Sequence, residues 1–254
     1  MMEEQLYTID EFSPVTDIVA ADYRTAGVFR KYDIEFCCGG RWPLHVACEA
    51  RGLDTGQVIK ELQEAIRVIS VSTALPFNEW PLDFLADYIV HVHHEYLRRA
   101  LPEAKEQLAK FAEGHQKKYT YLDELQRELS ALTAVLLPHL RQEEEIIFPY
   151  IKRINRAAAG KEPYGGLLVR TLRKPIEEIM HHEHGLTGKT LRRFRELTGK
   201  YSPPEKACIS HRVTFARLRE IDNDLVQHMH LENNILFPRA IAVEKELLKK
   251  NEDR

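Results

Sequence analysis

An eleven-residue stretch occurs twice in this chain, and it constrains the fold more than any other feature. The first copy runs from His139 to Pro149 and the second from His228 to Pro238. Both read His-x3-Glu-x2-Ile-aliphatic-Phe-Pro. Residues four apart lie on one face of a helix, so each copy points an imidazole and a carboxylate the same way. Two such faces opposed in a helical bundle predict a nitrogen and oxygen metal cage, which suits iron better than zinc or calcium.

Histidine-rich segments precede both copies at nearly equal distances, which indicates an internal duplication. His94 lies 45 residues before His139, and His184 lies 44 residues before His228. Each half of the duplication would supply two histidines and one glutamate to a site on a pseudo-two-fold axis. The pair His91 and His181 keeps nearly the same symmetry, so the duplication alone does not choose between the two pairs.

Apolar residues repeat at helical spacing over most of the chain, and no alternating strand pattern competes with them. The pattern predicts an all-α protein in which residues 1–70 form a small helical domain and 71–79 form a linker. Residues 80–254 are predicted to form a four-helix bundle. Pro102 is expected to kink or break the first long helix. The sequence Ser202-Pro203-Pro204-Glu205 is interpreted as the N-terminal cap of the fourth.

Composition excludes several classes of function. The net charge is -3, and charges of both signs are mixed, which gives no reason to expect a nucleic-acid partner. No apolar run approaches the roughly 20 residues that span a membrane. The acidic N-terminus lacks the basic and apolar regions of a signal peptide. The four cysteines do not form a disulfide framework, so a cytoplasmic protein with reduced thiols is expected.

Two adjacent cysteines, Cys37 and Cys38, precede a Gly-Gly pair in the N-terminal domain. Glycine lets other groups approach the backbone closely, so these thiols are candidates for binding iron or NO, or for redox chemistry. Cys48 and Cys208 lie in apolar helical patterns and are expected to be buried packing residues. The two Phe-Pro tails of the repeat are expected to serve packing and helix geometry. The remaining histidines are expected at the surface or around the site; they are His45, His93, His115, His182, His211 and His230.

The segment from Phe29 to Gly40 resembles the signature of the N-terminal domain in the repair-of-iron-centres proteins of the ScdA/YtfE type. The two repeat copies resemble the hemerythrin-like bundle of the same family. The resemblance implies a non-haem di-iron centre and the repair of iron-sulphur clusters damaged by nitric oxide or peroxide. It favours His94 over His91 and His184 over His181, and it makes the two repeat glutamates bridging ligands. The implied ligands are His94, His139, Glu143, His184, His228 and Glu232.

The hypothesis that follows is a labile di-iron centre whose open positions take NO, O2 or an oxo bridge. Cys37 and Cys38 would relay iron or NO towards a damaged iron-sulphur protein, the expected partner. A gas- or iron-sensing binding protein and an NO reductase that forms nitrous oxide are the alternatives. The sequence has no flavin or haem motif, so a reductase would need an external electron donor. A monomer or a homodimer is expected.

Overall fold

The computed structural model describes residues 8–36, 41–66, 75–160 and 176–252, with side chains over 185–249 of the last range. These residues form helices joined by turns and loops, which confirms the all-α prediction. The chain divides into two compact units. The smaller comprises Met1–Thr73 with Tyr201–Arg219, and the larger comprises Ala74–Lys200 with Glu220–Arg254. Residues 71–74 of the predicted linker lie outside the described residues.

Four short helices build the N-terminal part of the smaller unit. Asp54 caps the fourth, because its carboxylate accepts a 2.7 Å hydrogen bond from the Gln57 backbone N–H. The core holds fully buried side chains such as Phe29 and Leu62, and Val213 from the C-terminal half of the chain joins it. The helices are α1 (Val15–Ala21), α2 (Ala26–Lys31), α3 (Leu44–Glu49) and α4 (Thr55–Ile66), with a 3-10 turn at Tyr23–Thr25.

The larger unit is built from long helices. α7 packs against both α6 and α9, and α8 packs against both α5 and α11. α10 begins in the smaller unit and ends in the larger one. Their bounds are α5 (Leu82–Tyr88), α6 (Glu95–His115), α7 (Leu122–Gln142), α8 (Phe148–Ala158), α9 (Ile176–Leu197), α10 (Ile209–Leu231) and α11 (Phe237–Glu252).

Within the described residues, π-helical segments join α5 to α6, α7 to α8 and α10 to α11, and each joined pair is called a helical rod below. These segments are π1 (Ile89–His94), π2 (Glu143–Ile147) and π3 (Glu232–Leu236). In π2 and π3 the N–H of the phenylalanine that follows bonds the carbonyl of the repeat glutamate, five residues back. A proline comes next in both copies, and it has no N–H to donate to the carbonyl four residues back. The Phe-Pro tails therefore coincide with a change in helix register.

Pro102 does not break the first long helix: it lies inside α6, which continues as a helix to His115. The predicted start of the fourth long helix is wrong: α10 begins at Ile209 rather than at Ser202. The tandem prolines contribute to this difference, because a proline disfavours the helical conformation of the residue before it. The chain makes a turn at residues 205–206 before the helix starts.

The repeat phenylalanines lie in the core of the larger unit. Phe148 and Phe237 are buried, and their ring centroids are 6.5 Å apart. Burying a phenylalanine stabilises a fold by roughly 1.5–3 kcal/mol, so the two copies meet through a contact that holds the rods together. No helix in the described part of the chain has both the length and the apolarity needed to cross a membrane.

Candidate metal centre

Four buried side chains from three rods converge inside the larger unit. Each of them offers one ligand atom, and these atoms all lie within 4.8 Å of one another. The π-helical segments supply three of the four, and α10 supplies the histidine near its C-terminal end. π-Helical segments occur frequently at functional sites. The four residues are His94, Glu143, His228 and Glu232.

The imidazole nitrogens and carboxylate oxygens of this group face a shared centre, as the distances between them show. His94 Nε2 lies 3.0 Å from His228 Nε2 and 3.5 Å from Glu143 Oε2. It lies 3.7 Å from Glu232 Oε1, to which His228 Nε2 approaches within 2.8 Å. Both imidazoles therefore direct Nε2 towards the carboxylates and towards each other.

His139 extends the group along the first repeat copy. Its side chain is buried, and its Nε2 lies 3.2 Å from Glu143 Oε1. The structure thus brings together five of the six residues that the resemblance implies. The sixth, His184, belongs to α9, but its side chain lies outside the described residues, as does that of His181.

His91, the alternative to His94, lies outside this group. Its side chain is 69% exposed, and its Nδ1 lies 3.0 Å from Glu95 Oε1 on the same helical rod. The side chain of His94, three residues later, is fully buried. The two histidines therefore lie in different surroundings, although the spacing of the duplication is compatible with either of them.

The other ring nitrogen of His94 has a partner that the sequence analysis did not identify. His94 Nδ1 lies 2.7 Å from Glu144 Oε1, and Arg98 binds the same oxygen. The imidazole also stacks on Phe148, with ring centroids 5.6 Å apart. An Nδ1–H donated to a carboxylate leaves the Nε2 lone pair directed at the centre. In the sequence, Glu144 lies in a run of three glutamates, and nothing in that run indicates its contact with His94.

His93 lies beside the group and was expected at the surface or around the site. It is buried, its Nδ1 is 2.9 Å from Asp224 Oδ1, and its ring stacks on His228 at 6.0 Å. It therefore packs against a member of the group. His211, also expected at the surface or around the site, is fully buried in the smaller unit, where its ring meets Phe215 edge-on.

The electrostatics of the group favour a cation. Burial lowers the pKa of His94, but the nearby Glu232 carboxylate and the charge of Glu143 outweigh it, so the pKa is raised. The two carboxylates are fully buried, and buried charge is costly unless an opposite charge compensates it. A metal ion would supply that charge. Imidazole nitrogens with carboxylate oxygens form a donor set that suits iron.

The cysteines divide into two groups. Cys37 and Cys38 lie outside the described residues. Cys48 is buried in the core of the smaller unit, as predicted. Cys208 is only partly buried and precedes α10, so its predicted place inside a buried helical pattern is wrong.

Comparison with known proteins assigns both parts of the chain. Residues 85–240 match the hemerythrin HHE cation binding domain, and residues 11–66 match the ScdA_N domain, a domain of unknown function. The iron-sulfur cluster repair protein YtfE of Edwardsiella ictaluri is 33% identical over 232 residues, covering 90% of this chain and 96% of that protein. The proteins of the same name from Escherichia coli and Escherichia fergusonii are 31% identical over 231 residues, 91% of this chain and 97% of theirs. The chain belongs to the family of the YtfE iron-sulfur cluster repair proteins, with a cation-binding hemerythrin domain.

Proposed function

We propose that this protein repairs iron-sulfur clusters damaged by nitrosative or oxidative stress and that its larger unit holds a non-haem di-iron centre. The observation that carries the proposal is the convergence of two buried carboxylates and their imidazole neighbours in the domain that matches a cation-binding family. The cluster-repair name of the relatives supports the biological role. The substrates would be proteins that contain damaged iron-sulfur clusters.

The two repeat glutamates would bridge the metal ions, and the histidines would bind at the ends. Two carboxylates bring two negative charges, which suits a pair of divalent or trivalent ions better than a single one. When bound, such a centre supplies open positions for NO or O2. The proposed ligands are His94, His139, Glu143, His184, His228 and Glu232.

The donor set also bears on how firmly iron is held. The site offers imidazoles and carboxylates rather than the thiolates that hold structural metals and clusters. Iron bound in this way can be released as cargo to a damaged cluster. The thiols of Cys37 and Cys38 would accept iron or NO on the way, since thiolates bind both.

Metal analysis of His228→Ala tests the di-iron centre. The wild-type protein, purified without oxygen and supplied with iron, should hold about two iron ions per chain, as di-iron carboxylate proteins do. His228→Ala should hold less than half of that amount. His230→Ala provides the control, because that residue is exposed two positions away and should change nothing. Stoichiometric zinc in the wild type, or no stoichiometric metal, would contradict the di-iron centre.

The thiol relay has a separate test. An iron-sulfur dehydratase inactivated with NO or peroxide should recover activity with the wild-type protein. Replacing Cys37 and Cys38 together with alanine should abolish this recovery and leave the iron content intact. Cys208→Ala provides the control, since that thiol is partly exposed in a different part of the chain. Full recovery with the double variant would eliminate the relay while leaving the di-iron centre in place.

A further inference from the structure

Glu144 connects the buried centre of the larger unit with its surface. It belongs to π2 and follows Glu143 directly. Its side chain is 22% exposed at a surface cleft of about 470 Å³. The other residues that line this cleft are Arg98, Leu137, Arg141 and Glu145. Glu144 is therefore partly exposed to solvent while its carboxylate contacts the buried group.

Two contacts fix the Glu144 carboxylate. Its Oε1 lies 2.7 Å from Nδ1 of the fully buried His94. Arg98 binds the same oxygen from the cleft side. A carboxylate accepts hydrogen bonds and cannot donate them when ionised, so the proton at this contact resides on Nδ1 of His94. When His94 is neutral, as metal binding requires, a proton on Nδ1 leaves Nε2 with its lone pair, 3.0 Å from His228 Nε2.

We propose that Glu144, held by Arg98, is a positioning residue that fixes the tautomer and orientation of His94 and strengthens it as a metal ligand. Carboxylate partners raise the basicity of a ligating imidazole and prevent its rotation. The inference rests on the proposed metal centre and adds a residue to it that does not itself face the metal.

The two copies of the repeat differ at this position. The first copy has Glu144 after its site glutamate, whereas the second has Asn233 after Glu232. Both copies nevertheless form the same π-helical turn. The π-helical turn therefore does not require a carboxylate at this position. The role of Glu144 comes from its contact with His94, not from forming the turn.

The cleft contains its own control pair. Arg141 and Glu145 form an ion pair at 2.7 Å within one helical rod, and both side chains are mostly exposed. This pair has the same chemistry as Arg98 and Glu144 and lies in the same cleft. Exposed pairs of this kind contribute about 0–1 kcal/mol to stability, so replacing Glu145 should alter little.

The test compares Glu144→Gln, Glu144→Leu and Glu145→Leu in the iron-loaded protein. The rate of iron loss to an excess of chelator should rise about 10–100-fold in Glu144→Leu, the usual effect of removing such a partner. Glu144→Gln keeps an acceptor oxygen without the charge and should fall between Glu144→Leu and wild type. Glu145→Leu should stay within about twofold of wild type.

The midpoint potential of the bound iron separates positioning from a general loss of structure. An anionic partner makes imidazole a stronger donor and favours the more oxidised metal, so the potential should rise from wild type to Glu144→Gln to Glu144→Leu. Iron loss and potential in Glu144→Leu equal to those in Glu145→Leu would overturn the inference and leave the metal centre intact. A wild-type protein that binds no iron would overturn both.

Discussion

At the scale of single residues, His94 and His91 offer a direct test of what burial contributes to metal binding. They lie three residues apart, one buried beside two carboxylates and the other exposed. His94→Ala should lower the iron content to less than half, because the group loses a central nitrogen. His91→Ala should leave the content unchanged. Elemental analysis of the two variants in parallel measures this, and equal losses in both would contradict the assignment.

The sequence could limit the number of candidate site residues, but it could not identify all the residues around the site. Aligning the two copies selects Glu143 from three consecutive glutamates, since only Glu143 aligns with a glutamate, Glu232, in the second copy. Helical periodicity could not decide whether His91 or His94 is the candidate ligand, and the family resemblance favoured His94. Contacts such as that of His93 with Asp224, 131 residues away, depend on how the rods pack and leave no local signal.

Glu61 gives the smaller unit a defined dependence on pH. The Lys31 ammonium, the Tyr32 hydroxyl and the Gln57 amide hold its pKa at about 2, below the ordinary 4.5. A lowered pKa in the folded state stabilises the fold above pH 4.5, and this contribution disappears as the pH falls towards 2. Glu61→Gln should therefore be less stable than wild type at pH 6, and the difference should shrink by pH 3.

Urea unfolding at pH values between 6 and 3 measures that difference. Glu64→Gln, an exposed neighbour on the same helix, is the control and should track the wild type throughout. A Glu61→Gln deficit that stays constant across this range would show that the carboxylate charge is not the cause.

At the scale of elements, the long helices could be predicted from the sequence, whereas the π-helical segments within them could not. Apolar spacing defines a helix over several turns, and one extra residue in a turn changes that spacing only locally. In the sequence, the two Phe-Pro tails mark the positions at which π2 and π3 end. In both, the N–H of the phenylalanine bonds the carbonyl of the site glutamate. The tails thus lie at the turns that carry the site glutamates, although they contribute no ligand atom to the group.

Pro149→Ala tests this link. Alanine restores an N–H that can bond the carbonyl of Glu145, four residues back, which allows an ordinary α-helical turn. The Glu143 side chain would then rotate away from the group, and iron should be lost to a chelator faster. The metal-free variant should be more stable by up to about 3 kcal/mol, the usual cost of a proline inside a helix.

Pro102→Ala is the matched control, because Pro102 lies inside α6, away from the π-helical segments. It should gain stability without faster iron loss. Measurements of thermal unfolding and chelator release on both variants give the two quantities. If Pro149→Ala and Pro102→Ala release iron at the same rate, the proline does not maintain the site.

At the scale of the whole molecule, the smaller unit includes a part of the chain that no sequence pattern connects with it. Residues Tyr201–Arg219 belong to it, although they follow the first 73 residues by more than a hundred positions. Val213 is buried in its core, and Ile209 packs against that core. Helical periodicity predicts a helix in this part of the chain, but it cannot show which core each part of the helix enters. Domains as small as this one bury little surface and gain from each added side chain.

Val213→Ala should therefore destabilise the N-terminal helices, although Val213 lies far from them in the sequence. Removing its two methyl groups from a packed core should lower the free energy of unfolding of the smaller unit by about 2 kcal/mol. Hydrogen exchange of the amides in α1–α4 measures that loss directly, since protected amides report local opening. Val226→Ala makes the same change on the same helix at an exposed position and should leave these amides unaffected. Unchanged exchange in Val213→Ala would mean that α1–α4 are stable without this part of α10.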